Sequence, residues 1–492
     1  MSAAGAGDRI LSGPLPARVF RFGAPLAVGM GLQTVFNLVD AYLISRLDAD
    51  VAGPSLGAIG ICDQIAAIGS IISYGIATAT AALVSQREGA RDPDEARRIA
   101  RHSLALVVFW SLLFGLLGIV GAGFIMRDVV GAKGQVAVLG TRYLRIILGG
   151  SFSIFLLLQV TAIQRALGSS KTPVTMLLLS NVLNLVLAVL MVYGPGNAPG
   201  VFSWGPPIAK ALGIPRMEVA GAAWATILAR TVALLPLVFL VSRRFGLFRR
   251  TGKRTRPRSA SIAEILRIAW PSSTQLVIRI CAMLTTHALV ARYFTTQIDQ
   301  TATTALGIVF RLETMALFVG LGWGSAAQTF MGQNLGAGNR VRAVSSGWIA
   351  ASYNIAAMAL LAFVYQWLGE PIVRFFDEYV PVVTIALGYL RAIAPSYVAL
   401  GLGIVLGSAM TGAGATRTTM LIDLCVVFGF QLPCAIAAVT IGTPTLLRLW
   451  LVVVATNLVS AIAYAVSYGR GSYLRLPAPL IHDGRGASAG IP

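Results

Sequence analysis

Runs of about twenty apolar residues recur along nearly the whole of this 492-residue chain, and a helix of that length is what it takes to cross a hydrocarbon layer ~30 Å thick. The runs centre near 19–44, 53–84, 99–126, 136–164, 172–193 and 219–241, and again near 262–291, 302–330, 343–369, 380–410, 418–440 and 444–468. A water-soluble fold could not hide so much apolar surface, and a composition of 56% hydrophobic and 12% charged residues places the chain in the membrane class. The net charge of +20 does not indicate nucleic acid, because the basic residues lie between the apolar runs, where they set orientation. The four cysteines, Cys62, Cys281, Cys425 and Cys434, sit in apolar segments without CxxC spacing, which excludes a disulfide framework and a zinc pattern. The first residues are small and polar and read as no cleavable signal peptide.

The loops give the expected orientation. Eight Lys and Arg residues crowd Ser242–Arg258, and Arg87, Arg91, Arg97, Arg98, Arg340 and Arg342 fall on the same side. The opposite loops are poorer in charge, and the longest, Gly194–Pro215, is rich in Pro and Gly. By the positive-inside rule both termini are cytoplasmic and the protein is a multi-pass cell-membrane protein, in contact with membrane lipids. The predicted division is a cytoplasmic N-terminal segment 1–14, a first lobe 15–241, a basic linker 242–260, a second lobe 261–469 and a disordered tail 470–492.

The two lobes are copies of one another. A shift of 246 residues lays Pro25 on Pro271, Arg46 on Arg292, Tyr143-Leu144-Arg145 on Tyr389-Leu390-Arg391, Gly168 on Gly414 and Thr172 on Thr418. With one small gap, Gly75, Gln86, Gly89 and Ala90 fall on Gly322, Gln333, Gly336 and Ala337. Matches of Pro, Gly, Arg, Gln and Tyr at loop edges are not what chance provides in an apolar chain. Six spans per half is an even number, so the halves enter the membrane from the same side and are related by an axis along its normal. The predicted fold is all-α, twelve transmembrane helices in two pseudo-symmetric six-helix bundles around a central cavity, the layout of an alternating-access transporter.

Met331-Gly332-Gln333-Asn334-Leu335-Gly336-Ala337-Gly338-Asn339, with Val84-Ser85-Gln86-Arg87-Glu88-Gly89-Ala90 as its first-half counterpart, resembles the signature of the multidrug and toxic compound extrusion (MATE) transporters. Gln164-Arg165-Ala166-Leu167-Gly168-Ser169-Ser170-Lys171-Thr172-Pro173 is similar to that family's turn between the fourth and fifth helices, and Gly221-Ala222-Ala223-Trp224-Ala225-Thr226 to its sixth-helix opening. The resemblance covers roughly residues 15–470. It implies a secondary antiporter, with no cofactor, that expels small organic compounds, mostly cationic, in exchange for H⁺ or Na⁺, and a monomer is expected.

Polar residues inside the spans locate the candidate chemistry, since a charge near the bilayer centre costs about 3 kcal/mol and persists where it has a job or a partner. Gln33, Asn37 and Asp40 follow i, i+4, i+7 spacing and share a face of the first helix. Asp40 is the carboxylate of that face, with no Lys or Arg one turn away. An Asp fifteen residues after a first-helix proline is the coupling carboxylate in the resembling family, and Asp40 follows Pro25, a place for the helix to bend, by fifteen. Asn181 and Asn184 share a face of the fifth helix, and interhelical glue is an equal reading of them. The resemblance matches Asn184 to the Asn of an Asn-x-x-x-Asp pair and Thr226 to a site hydroxyl, but the Asp position holds Ala188. That loses an anionic oxygen a Na⁺ site wants, so proton coupling is the better expectation.

In the second half, a Glu found in one branch of the family is replaced by Arg279. Arg279, Glu313, Asp63 and Asp423 are the remaining structural or substrate charges, and an Arg279–Glu313 pair is expected to offset burial. Asp63 and Glu313 occupy equivalent places in the repeat. Two rival functions are weighed. A flippase for lipid-linked saccharides would ask for Lys or Arg facing the first-half cavity, and the middles of the first, second and fifth helices carry none. An intramembrane enzyme would need a catalytic or metal constellation, and His287 is the histidine in the middle of a span, without an HExxH motif. The orientation is directly testable: a cysteine placed at position 252 of the linker is expected to resist labelling from outside intact cells, and its labelling there would reverse the topology.

Overall fold

The computed structural model describes residues 10–247, 258–296 and 298–474, apart from the side chains of residues 33–41, 49–50, 244 and 258. Twelve helical spans run through the described residues. The first six are α1 Leu15–Ser45, α2 Ala49–Gly89, α3 Pro93–Val129, α4 Gly134–Gly149 with Ser151–Ala166, α5 Lys171–Tyr193 and α6 Glu218–Phe245. The second six are α7 Arg258–Phe294, α8 Thr301–Gly336, α9 Arg340–Arg374, α10 Val380–Gly412, α11 Thr416–Thr440 and α12 Leu446–Arg470. Ten are long and apolar enough to cross a membrane, and α4, a helix pair bent by 40°, makes eleven. The first helix, 31 residues long, completes the set. Every predicted span is present, and no strand occurs among the described residues.

Local chemistry explains where the helices stop and yield. Asp92 caps α3 by accepting from the Glu95 amide, and Asn339 caps α9 by accepting from the Arg342 amide, at equivalent points of the two halves. The α4 bend falls at Gly150, and its counterpart in α10 is the tight turn Ala394–Ser396, where Pro395 removes a backbone donor. In α11 the hydrogen-bond ladder widens into a π-helix over Cys425–Gln431, just before Pro433. Pro25 and Pro271 lie inside helices assigned without interruption. Lipid-facing rows such as Leu112, Leu116 and Val120 on α3, and Leu360, Phe363 and Trp367 on α9, are exposed, as a bilayer solvent requires.

Two boundaries differ from the sequence reading. Gly194–Pro215 is not a plain loop: Gly205–Ala211 is helical, and Gly205 lies so close on Val189 of α5 that a side chain would not fit. Part of the expected tail is ordered, because Tyr473 is buried and stacks on Tyr468 at 5.2 Å. The rest of that tail, from 475 on, and linker residues 248–257 lie outside the described residues. All four cysteines are free, and buried Cys62 hydrogen-bonds to the Gly140 carbonyl.

The lobes meet through repeat-related helices: α1 against α8, α7 against α2, and α2 against α8. At the ends of α2 and α8 nearest the linker the contact is exchanged symmetrically. Gln86 Nε2 donates to the Gly412 carbonyl of the second lobe at 2.8 Å, and Gln333 Nε2 donates to the Ala166 carbonyl of the first at 2.7 Å. Beside them a Cβ on Gly89 would collide with the Gln333 carbonyl, and a Cβ on Gly336 with the Gln86 carbonyl. Arg87 pairs with Glu264 across the same seam at 3.5 Å, and Arg342 holds the carbonyls of Ile10, Ser12 and Gly13.

Backbone cannot move aside as a flexible side chain can, so Gly336→Ala is expected to destabilise the detergent-solubilised protein by about 1–3 kcal/mol. Gly60→Ala, with open space around its would-be methyl, serves as control. Thermal unfolding of the two variants checks this, and equal losses would show that the seam is not the reason.

Candidate substrate cavity

A cavity of about 600 Å³ lies between the lobes. Its polar lining comes from both: Tyr74 and Thr78 of α2, Arg165 of α4, Asn181 and Asn184 of α5, and Thr226 and Arg230 of α6 face Gln275, Arg279 and His287 of α7, Glu313 and Gln328 of α8, and Asp423 of α11. The cavity is closed on the linker side. There Val19, Phe22 and Leu26 of α1 share one apolar core with Trp323, Phe330 and Met331 of α8, and Ile265 and Ile268 of α7 join Leu83 and Val84 of α2. At the opposite ends the cores separate by lobe, with Leu43, Ile44 and Val189 in one and Val290, Leu306 and Val309 in the other.

The buried charges are arranged differently from the expectation. Arg279 does not pair with Glu313: its Nε donates to Asp423 Oδ2 at 2.8 Å, joining α7 to α11. The other Asp423 oxygen accepts from the Tyr464 hydroxyl at 2.7 Å, and Gln275 donates to that same hydroxyl oxygen at 2.9 Å. Glu313 accepts instead from the Tyr389 hydroxyl at 2.6 Å. Glu313 needs no cation, because a buried phenol donor on α10 satisfies it. Asp63 makes the matching contact although the repeat shift lays it on Val309 or Phe310 and not on Glu313: it accepts from Tyr143 at 3.3 Å, and Tyr143 and Tyr389 are repeat partners. Both pairs tie the second helix of a lobe to its fourth.

Of the first-lobe candidates, Asn181, Asn184 and Thr226 come together on the cavity wall, where Thr226 Oγ1 donates to the Ala222 carbonyl at 3.0 Å. Ala188 is buried against Val189 and Val192 of its own helix, away from the lining. Pro25 lies in α1 one position before Leu26, and Leu26 and Met30 of that helix line the cavity. The side chains of Gln33, Asn37 and Asp40 lie outside the described residues. The sequence reading missed the Arg165 and Arg230 guanidiniums in the wall, and their presence removes one ground for setting aside an anionic cargo. Arg230 carried a signal, since it stands in the middle of an apolar run; Tyr74, Gln275 and Tyr464 carried none.

His287 sets its ring edge-on to Phe310 at 5.4 Å on the cavity wall. Among the described residues no group of His, Cys, Asp and Glu has the spacing to hold a metal ion.

Two similar helical lobes clasped at one end around a shared polar cavity define a polytopic membrane carrier. The sequence pattern of the MatE family matches residues 25–190 and 277–437, one match in each lobe, and the chain belongs to that family of membrane transporters. It is 24% identical over 428 residues to a FAD transporter of Shewanella oneidensis, covering 87% of this chain and 88% of that one. It is 27% identical over 414 residues to the probable multidrug resistance protein YpnP of Bacillus subtilis, covering 82% and 84%. Among solved structures, a MOP superfamily transporter from Pyrococcus furiosus superposes with a TM-score of 0.83 at 22% identity, over 96% of this chain and 99% of that one. An outward-facing multidrug resistance MATE family transporter superposes at 0.82 and 22%, over 96% and 98%. These likenesses confirm the expected twelve-helix fold.

Removing one member of a buried ion pair strands the other charge, so Arg279→Gln is expected to cost about 3 kcal/mol. Adding Asp423→Asn is expected to recover much of it, and adding Glu313→Gln none. Thermal unfolding of the purified variants distinguishes these, and recovery by Glu313→Gln would contradict the pairing described.

Proposed function

We propose that this transporter is a secondary antiporter that exports small organic compounds, cations among them, in exchange for H⁺. The observation that carries the reading is a cavity walled by both lobes and clasped shut on the linker side. With the linker cytoplasmic, as the loop charges favour, this state faces outward, the state from which an exporter releases its cargo and takes up its coupling ion. Protons are favoured over Na⁺ because Ala188 brings no oxygen to the site, whereas Asn181, Asn184 and Thr226 offer amides and a hydroxyl suited to hydrogen-bonding a carboxyl group in either protonation state.

Asp40 is the coupling residue in this proposal. Positions 33, 37 and 40 follow Leu26 and Met30 along α1 at helical spacing. Deprotonated, Asp40 attracts a cation. Protonated, it gives the cation up and favours the other access state, so proton and drug compete. Each proton supplies about 1.4 kcal/mol per pH unit across the membrane, a tenfold gradient of a substrate exchanged one for one.

Asp40→Asn is nearly isosteric and is expected to insert and fold normally, yet to lose ΔpH-driven ethidium movement in everted vesicles. Asn184→Ala is expected to weaken coupling less. Normal ethidium export by Asp40→Asn under ΔpH, or export by the unaltered protein driven by a Na⁺ gradient alone, would overturn the mechanism.

A further inference from the structure

Arg165 is a cavity charge that the proposed cycle leaves unused. It stands at the C-terminal end of α4, one residue before the Ala166 carbonyl that Gln333 holds, and so at the closed floor of the cavity. Among the described residues no carboxylate neutralises it. Arg165 and Arg279, a guanidinium from each lobe, line the same cavity as Tyr74 of α2. Arg279 is balanced by Asp423 through its Nε and also hydrogen-bonds to the Tyr464 hydroxyl, and a guanidinium with five N–H donors keeps others for a further acceptor. The trio of Arg165, Arg279 and Asp423 thus keeps one positive charge.

The scaffold does not require that charge. A shift of 246 residues sets Thr411 at the position of Arg165. Both halves otherwise keep the turn, with Gly168 and Gly414 at positive φ and the Ala166 and Gly412 carbonyls each accepting a glutamine amide from the opposite lobe. A turn that closes equally well on threonine gives no structural reason for an unneutralised guanidinium on the cavity wall, and such a charge inside a membrane protein marks a functional group.

We propose that the cavity floor between Arg165 and Arg279 is an oxyanion subsite, which takes a carboxylate or phosphate carried by an organic substrate whose apolar body lies against Leu157, Leu177, Leu317 and Leu321. A planar guanidinium presents paired N–H donors to such a group, and a monoanion cancels the residual charge. The subsite adds organic anions and amphoteric compounds to the cations of the proposed cycle, and it rests on this cavity being the transport site.

The test is equilibrium binding to the purified full-length protein in nanodiscs, with carboxyfluorescein, methylumbelliferyl phosphate and ethidium as probes. At least one anionic probe is expected to bind, and which one identifies the group. Arg165→Thr, which installs the residue the second half carries at this turn, is expected to weaken that binding at least tenfold while ethidium binds more tightly. Arg165→Lys, keeping the charge without the fork, should fall between. If Arg165→Thr yields no folded protein, Arg165→Gln is expected to give the same opposite movement of the anionic and cationic probes. Ethidium binding with neither anionic probe bound would overturn the subsite and leave the transport reading standing. No binding of any probe would overturn both. An equal loss of both probe types in the variants would make Arg165 a scaffold residue and end the proposal.

Discussion

The lobes hold together where two backbones touch without side chains between them. Gly89 against the Gln333 carbonyl, and Gly336 against that of Gln86, bring α2 and α8 closer than any residue with a Cβ permits. Small residues are the general means by which membrane helices approach, since lipid provides no hydrophobic drive for helices to associate. That approach is what lets Gln86 and Gln333 reach carbonyls on the opposite lobe. The closed floor, the position of Arg165 beside it and the separation of the two cores at the far side all follow from where the contact sits.

Inside each lobe, burial of charge is managed by donors rather than by a general pairing of opposite signs. Asp63 and Glu313 each take a tyrosine hydroxyl from the fourth helix of their own lobe, so these carboxylates brace a lobe internally and leave the seam uncharged there. Asp423 takes a guanidinium and a phenol, which ties α7 to α11 and α12. Every one of these bonds lies within a lobe. Among the described residues the seam uses amides, carbonyls, glycines, the Arg342 guanidinium on the carbonyls of Ile10, Ser12 and Gly13, and the partly exposed ion pair Arg87–Glu264, whose contribution is small. Charged ties within lobes, and apolar and amide contacts between them, are what a molecule needs if its lobes are to move as units.

Much of this was legible in the sequence, for reasons that differ by feature. The spans were readable because lipid demands apolar length, and the duplication because Pro, Gly, Gln and Tyr survive at positions where backbone geometry leaves little choice. The motif Met331–Asn339 was readable as a family mark, but its physical sense was not. Only the fold shows Gln333 reaching across to Ala166 and Asn339 capping the next helix. The partner of Arg279 was out of reach, because Glu313 and Asp423 are equally plausible until helix packing decides between them. Arg165 was in view as part of a turn motif, and its place on the cavity wall depends on the bend of α4 at Gly150.

The seam's position at one end of the bundle gives the molecule a lever. A span such as α1, 31 residues long, measures roughly 46 Å along its axis at ~1.5 Å per residue. With the pivot at Gly89 and Gly336, a relative rotation of about 10° would carry the distant helix ends roughly 8 Å apart or together, by the same length. The residues at the pivot would shift by only a fraction of an ångström. Glycines at the fulcrum therefore spare the contact from the movement they make possible, and the mouth of the cavity can open or narrow by the width of a small organic ring while the hinge scarcely stirs.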